Sequence, residues 1–233
     1  MANQPSGPRP WDDHDTAIWH TLDILAAVLT SQLQERPATM SPFPPSMGPG
    51  ERMLSQGGYD RLQYMAAGDG SYDSSMFIAG GTGVLGLGLL AGTALASAAG
   101  NASRRSRAQE AAQERWRPLD SGLLWISTHG FYLQNPHGLL PWSWPAVTSA
   151  MVAGPAAVHL QGQTDGGVAV SWIVRSHFAE LLFVLWALYR HPGHPQLVTG
   201  GWLPPGWAEH ARAHGHLPEQ QLARITTALT AGR

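Results

Sequence analysis

Neither cysteine nor lysine occurs in the 233 residues. Without thiols there are no disulfides, iron–sulfur clusters or thiolate zinc sites, and the redox compartment is left open. Charge of either sign is scarce: charged residues make up 13% of the chain and the net charge is −2. That balance supplies no basic footprint, so nucleic acid is not an expected partner. The first 40 residues lack a basic start followed by an apolar core, so no secretory signal is expected and the cytoplasmic side is the default address.

Charge is missing altogether from Ser74 to Ser103, thirty residues between Asp73 and the cluster Arg104, Arg105 and Arg107. A helix over Ala79–Ala99 would reach about 30 Å, the thickness of a bilayer core. The arginines that follow favour a cytoplasmic position for the rest of the chain and suit contact with anionic lipid heads. Small residues recur four apart at Gly88, Gly92, Ala96 and Gly100, a spacing that lets helix backbones pack closely. Six strongly apolar side chains contribute only about −2 to −4 kcal/mol to insertion, against six glycines and three hydroxyl residues. In water each glycine costs about 1 kcal/mol relative to alanine. Either environment therefore demands a close-packed partner, and two readings stand level: a lipid-spanning or lipid-inserted helix, and a buried helix packed against protein.

The same run contains G-x-G-x-x-G at Gly81, Gly83 and Gly86. It is similar to the opening of short-chain dehydrogenases, which implies NAD(P) binding at a helix N-terminus. No acidic residue follows about 20 positions on, no βαβ repeats follow, and the Tyr-x-x-x-Lys pair of that family is excluded by the missing lysine. The expected cofactor is none. His210 and His214 have the spacing of two metal ligands on a helix, but no carboxylate is spaced with them as in a hydrolase, so no metal site is expected. Nothing orders serine, histidine and aspartate into a nucleophilic site.

Residues 1–10 read as a disordered lead, followed by a helix from a cap at Asp12 or Asp13 to about Arg36 and a proline-rich linker over Pro37–Gly50; this N-terminal region is set apart from the following domain at about residue 47. Two short strands, Arg52–Gln56 and Tyr59–Met65, follow, separated by Gly57-Gly58. Arg104–Arg117 has the composition of a polar helix. From Ser121 the character changes to short β-favouring runs: Leu123–Thr128, Phe131–Gln134, Leu139–Trp144, Val147–Val152, Val158–Gln161 and Val168–Val174. Turn residues every 8 to 12 positions predict an antiparallel meander. Trp125, Trp142, Trp144 and Trp172 fall in these strands and are expected in the core. The stretch Ser176–Arg190 predicts a helix capped by Ser176 and apolar on both sides, so it needs two covers: the sheet, and either the N-terminal helix or the glycine-rich one. Residues 191–233 read as a His/Pro-rich tail with a short terminal helix.

Gly50-Glu-Arg-Met-Leu, the stretch Gly122-Leu-Leu-Trp-Ile-Ser-Thr-His-Gly-Phe-Tyr-Leu133 and Ala179-Glu-Leu-Leu resemble the opening strand, hairpin and closing helix of bacterial PH-like and GRAM-like domains. The resemblance covers about residues 48–190, with 74–117 as a helical insertion. It implies an α+β fold, a PH-like antiparallel β-meander or roll capped by a C-terminal helix. It implies non-enzymatic binding of lipid headgroups or proteins. Because residues 128–170 hold no arginine, protein binding or self-association is expected over phosphoinositide binding. The function expected is a membrane-associated binding or scaffolding module on the cytoplasmic face. The alternatives are a soluble interaction module with its glycine helix internal, and an enzyme, either NAD(P)-dependent through Gly81–Gly86 or a histidine metalloenzyme.

Overall fold

The computed structural model describes residues 9–65 and 115–231. The chain forms two compact units, Met1–Leu62 with Pro118–Arg233, and Gln63–Arg117. Seven strands, β1 (Met53–Met65), β2 (Arg115–Ser127), β3 (Gly130–Asn135), β4 (Gly138–Ser143), β5 (Val147–Gly154), β6 (Ala157–Gln163) and β7 (Ala169–Arg175), lie in the order β4-β3-β2-β1-β7-β6-β5. The sheet is antiparallel, as the turn spacing predicts, and it curls into a half-barrel.

Alternation sets the register. Leu124 and Ile126 of β2 and Phe131 and Leu133 of β3 enter the main core, while Trp125 and its cross-strand neighbour Tyr132 face the other way. A one-residue slip would exchange the two sets, which pins the pairing. Trp125, Trp142 and Trp172 are buried in strands, and Trp144, expected in a strand, is buried at the start of a 3-10 turn over Trp144–Ala146. Trp142 meets Trp172 edge-on at 4.6 Å, linking β4 to β7 across the inside of the curl.

Two sequence expectations for β1 and β2 are corrected. The chain does not break at Gly57-Gly58; a single strand, Met53–Met65, runs through them, and neither glycine adopts the positive φ of a tight turn. Gly57 instead admits the Phe178 ring, which would lie 2.9 Å from a Cβ there. Arg115–Arg117, expected at the end of a polar helix, are the first residues of β2; residues 104–114 lie outside the described residues.

Helix α1 (Asp13–Leu29) opens on a capping box in which the Asp12 carboxylate takes the Asp15 amide and Asp15 takes that of Asp12. It ends before the expected Arg36. Thr30 caps it, Ser31 takes a φ of +58°, and a separate 3-10 turn covers Leu33–Glu35. Helix α2 (Ala179–Arg190) starts two residues later than a cap at Ser176 would place it. Phe178 holds the cap position, and the Ser176 hydroxyl accepts the Phe178 amide, not an amide inside the helix.

Nine consecutive residues of α2, Ala179–Ala187, are buried. One side rests on β5 and β6, where Trp186 Nε1 donates to the Val147 carbonyl at 3.0 Å, and α1 covers the other. Burying each such Leu, Phe or Trp contributes about 1.5–3 kcal/mol. Residues after Pro192 form α3 (Pro195–Val198), α4 (Trp207–Ala213) and α5 (Pro218–Ala231), with α5 against α1. Trp202 and Trp207 are buried in the core.

Strand β5 is an edge, and Gln196 of α3 covers part of it. The Val152 amide donates to Gln196 Oε1 and Gln196 Nε2 donates to the Val152 carbonyl, both at 3.0 Å. The carboxamide thus occupies the place of a neighbouring strand. Gln196→Ala should lower stability by about 1–3 kcal/mol and expose a free edge; urea unfolding and concentration-dependent light scattering would read both. An unchanged midpoint would remove this role.

Candidate functional site

The residues singled out by sequence, Gly88, Gly92, Ala96 and Gly100 for helix packing and Arg104, Arg105 and Arg107 for lipid heads, lie outside the described residues. So does the Gly81–Gly86 motif. Their strand roots, Gln63–Met65 and Arg115–Arg117, are described. There Tyr64, 48% exposed, meets Trp116 edge-on at 5.5 Å, and Arg117 Nε donates to the Met65 carbonyl at 3.3 Å. Strands β1 and β2 are neighbours in the sheet, so residues 66–114 join two adjacent strands. No helix among the described residues is long and apolar enough to cross a membrane.

A second cluster gathers at the start of α1. The Asp15 carboxylate is fully buried. It accepts two bonds from Arg9 (2.6 and 2.7 Å) and one from Trp207 Nε1 (3.0 Å), and it meets His210 Nε2 at 3.2 Å. Burial alone would raise its pKa; the bonds from Arg9 and the Asp12 amide, the Arg9 charge and His210 outweigh that and hold it at about 2. Trp11 stacks on His216 at 4.3 Å and on His210 at 5.7 Å. His210 therefore faces a carboxylate, and His214 Nδ1 lies 3.0 Å from the His210 carbonyl. Among the described residues no group of three or more His, Asp or Glu is placed to hold a metal.

A third constellation underlies a groove of about 670 Å³. Its walls come from β1 and β2 (Gly58, Tyr59, Asp60, Gly122), the β5–β6 turn (Ala156) and the approach to α2 (Arg175, His177). Glycine at 122 is required by close approach, since a Cβ would lie 2.0 Å from the Gln134 carbonyl oxygen. Behind Ala156 sits Glu180, fully buried in the first turn of α2. Its Oε1 accepts the Ala156 amide at 2.9 Å and pairs with His14 Nε2 at 3.0 Å, while Oε2 has no hydrogen-bond partner. Burial would lower the His14 pKa, but the bond and charge of Glu180 win and raise it. Tyr59, on the wall, is pushed up to about 12 by burial and then by the charge of Asp120.

Beside Tyr59, Arg61 is buried and grips Asp120 with both arms, Nε to Oδ1 at 2.8 Å and Nη2 to Oδ2 at 2.5 Å. Asn135 Nδ2 donates to the same Oδ2 at 2.7 Å, and the guanidinium lies 4.2 Å from the centre of the Trp172 ring. Sequence reasoning missed this lock and the Glu180–His14 pair. One signal was present: Arg61 falls two residues after Tyr59, on the same face of a strand.

The rim charges are mixed, Asp60 against Arg175, and the Ser176 hydroxyl is engaged by the Phe178 amide. No family model matches the chain, and no curated protein is significantly similar to it.

Proposed function

We propose that the chain is a non-enzymatic binding or scaffolding module with a PH-like domain over about residues 48–190, held at the cytoplasmic face of a membrane by its glycine-rich run. The observation that carries the reading is the arrangement of the sheet. Seven antiparallel strands lead directly into a helix that closes on them, the combination expected of a PH-like domain. The uncharged residues 74–103 fall between two neighbouring strands of that sheet. Membrane attachment through residues 79–99 is supported by the strand roots, where an aromatic pair and two arginines flank the insertion. Tyrosine and tryptophan favour the headgroup level, and arginine favours anionic lipid. The groove beside Gly58 and Arg175 is left to face a protein partner.

The test is flotation with vesicles of phosphatidylcholine and phosphatidylserine, before and after a carbonate wash. The full chain should float and resist carbonate; replacing Ala79–Ala99 by a short Gly/Ser linker should abolish both while leaving the unfolding midpoint of the sheet unchanged. Full chain that stays in the soluble fraction would overturn the membrane part and leave an interaction module with its glycine helix internal.

A further inference from the structure

Between α1 and β1 the chain crosses the outer face of the sheet as Pro42-Phe43-Pro44-Pro45-Ser46-Met47. Beneath it, Trp125, Tyr132 and Met53 form a separate apolar cluster joined by Phe43, Met47 and Leu139. The Phe43 ring meets Trp125 edge-on at 5.5 Å and Tyr132 at 5.1 Å. The Ser46 amide donates to the Tyr132 hydroxyl at 2.9 Å, and the Met47 amide donates to Glu51 Oε2 at 2.8 Å. The Tyr132 hydroxyl donates in turn to the Glu51 carboxylate at 2.9 Å. A Cβ at Gly130 would stand 2.1 Å from the Trp142 carbonyl oxygen of the paired strand and 2.6 Å from the Met47 sulfur, so Met47 packs directly on the strand backbone there.

The two layers differ sharply in attachment. Tyr132, Trp125 and Met53 are buried, whereas Phe43 and Met47 are half-buried and Pro42, Pro44, Pro45 and Ser46 are exposed. Few side chains and two amide bonds hold the strap. Segments with few buried contacts open locally at a small fraction of the free energy of global unfolding. Opening would uncover a tryptophan–tyrosine surface of the kind that takes proline-rich segments, whose restricted backbone loses little entropy on docking.

We propose that the Trp125–Tyr132 face is a recognition groove for proline-rich segments bearing an aromatic side chain, occupied in cis by Pro42–Met47, and that a partner segment of the same chemistry displaces the strap. This inference is independent of any membrane contact. The tethered strap competes at a high effective concentration, on the order of millimolar for a short flexible link. A free ligand therefore binds the wild type weakly and binds a chain with a weakened strap more tightly.

The probe is a fluorescent peptide of residues 38–50, titrated by anisotropy into the full chain. Phe43→Ser should bind it at least tenfold more tightly than wild type, the peptide carrying the same Phe→Ser change should not bind, and Tyr132→Phe placed in the Phe43→Ser chain should weaken binding severalfold. Hydrogen exchange on the wild type supplies a second readout: the Ser46 and Met47 amides should exchange at least a hundredfold faster than those of Trp125 and Tyr132. A folded Phe43→Ser chain that ignores the peptide overturns the proposal, and so does equal protection of the two sets of amides. Should Phe43→Ser fail to fold, the exchange measurement alone decides.

Discussion

Replacing Arg61 with leucine should lower the unfolding free energy by about 3–5 kcal/mol, the cost of stranding one partner of a buried ion pair. Asp120 would keep its bond from Asn135 but lose both guanidinium bonds and the neutralising charge. Trp172 would lose the cation over its face, about 1–2 kcal/mol at a desolvated site. The partner arithmetic makes the prediction specific. A chain carrying Arg61→Met together with Asp120→Leu should recover most of the loss, because two apolar groups need no counter-charge. Urea unfolding followed by tryptophan fluorescence measures both. A single-variant loss below about 1 kcal/mol would mean that water reaches the pair and that it is not a lock between β1 and β2.

The second large effect belongs to Asp15. Its carboxylate gathers Arg9, Trp207 and His210 onto the first turn of α1, joining positions 192 apart in sequence. An amide of the same shape cannot accept from all of them, so Asp15→Asn should cost about 2–4 kcal/mol. The pH dependence follows from its pKa near 2, below the ordinary 3.8. The folded state binds this proton more weakly than the unfolded chain does. The pairing is therefore fully stabilising above about pH 4 and is lost as pH falls towards 2. The loss is about 2 kcal/mol at most, because Arg9 is half exposed to solvent. His14 acts in the opposite sense: its raised pKa means that the bond to Glu180 contributes fully below the ordinary histidine value and fades as pH rises through the folded one. Urea midpoints of the wild type should therefore fall between pH 4 and 2, and Asp15→Asn should flatten that limb. A variant as steep as the wild type would assign the acid limb to other carboxylates.

Much of the sheet from Leu123 onward was legible because short β-favouring runs are punctuated there by glycine, proline and asparagine turns, whereas the first residues of β2 were not. The approximate span of α2 was equally clear. Gly57-Gly58 misled because glycine marks both a turn and a close approach, and only the position of Phe178 distinguishes them. The cap of α2 was misplaced for a related reason. Ser176 is a good cap by type, but its carbonyl and hydroxyl serve the turn that precedes the helix. The candidate site was less legible than the fold. Arg61, Glu180 and Asp15 read as strand and first-turn charges, and a charge announces neither its burial nor its partner.

The sequence by itself determined which stretches must hide apolar residues, through short β-favouring runs between turns and helical stripes of period 3.6, and that α2 must be covered on both sides. Which element supplies the second cover was decided only in three dimensions, where α1 takes the place. The same holds for the buried charges. Glu180 meets His14 across 166 positions and Arg61 meets Asp120 across 59. Periodicity is a local property of the chain, whereas the satisfaction of a desolvated charge depends on groups brought together by closing long loops, and no local pattern encodes that choice.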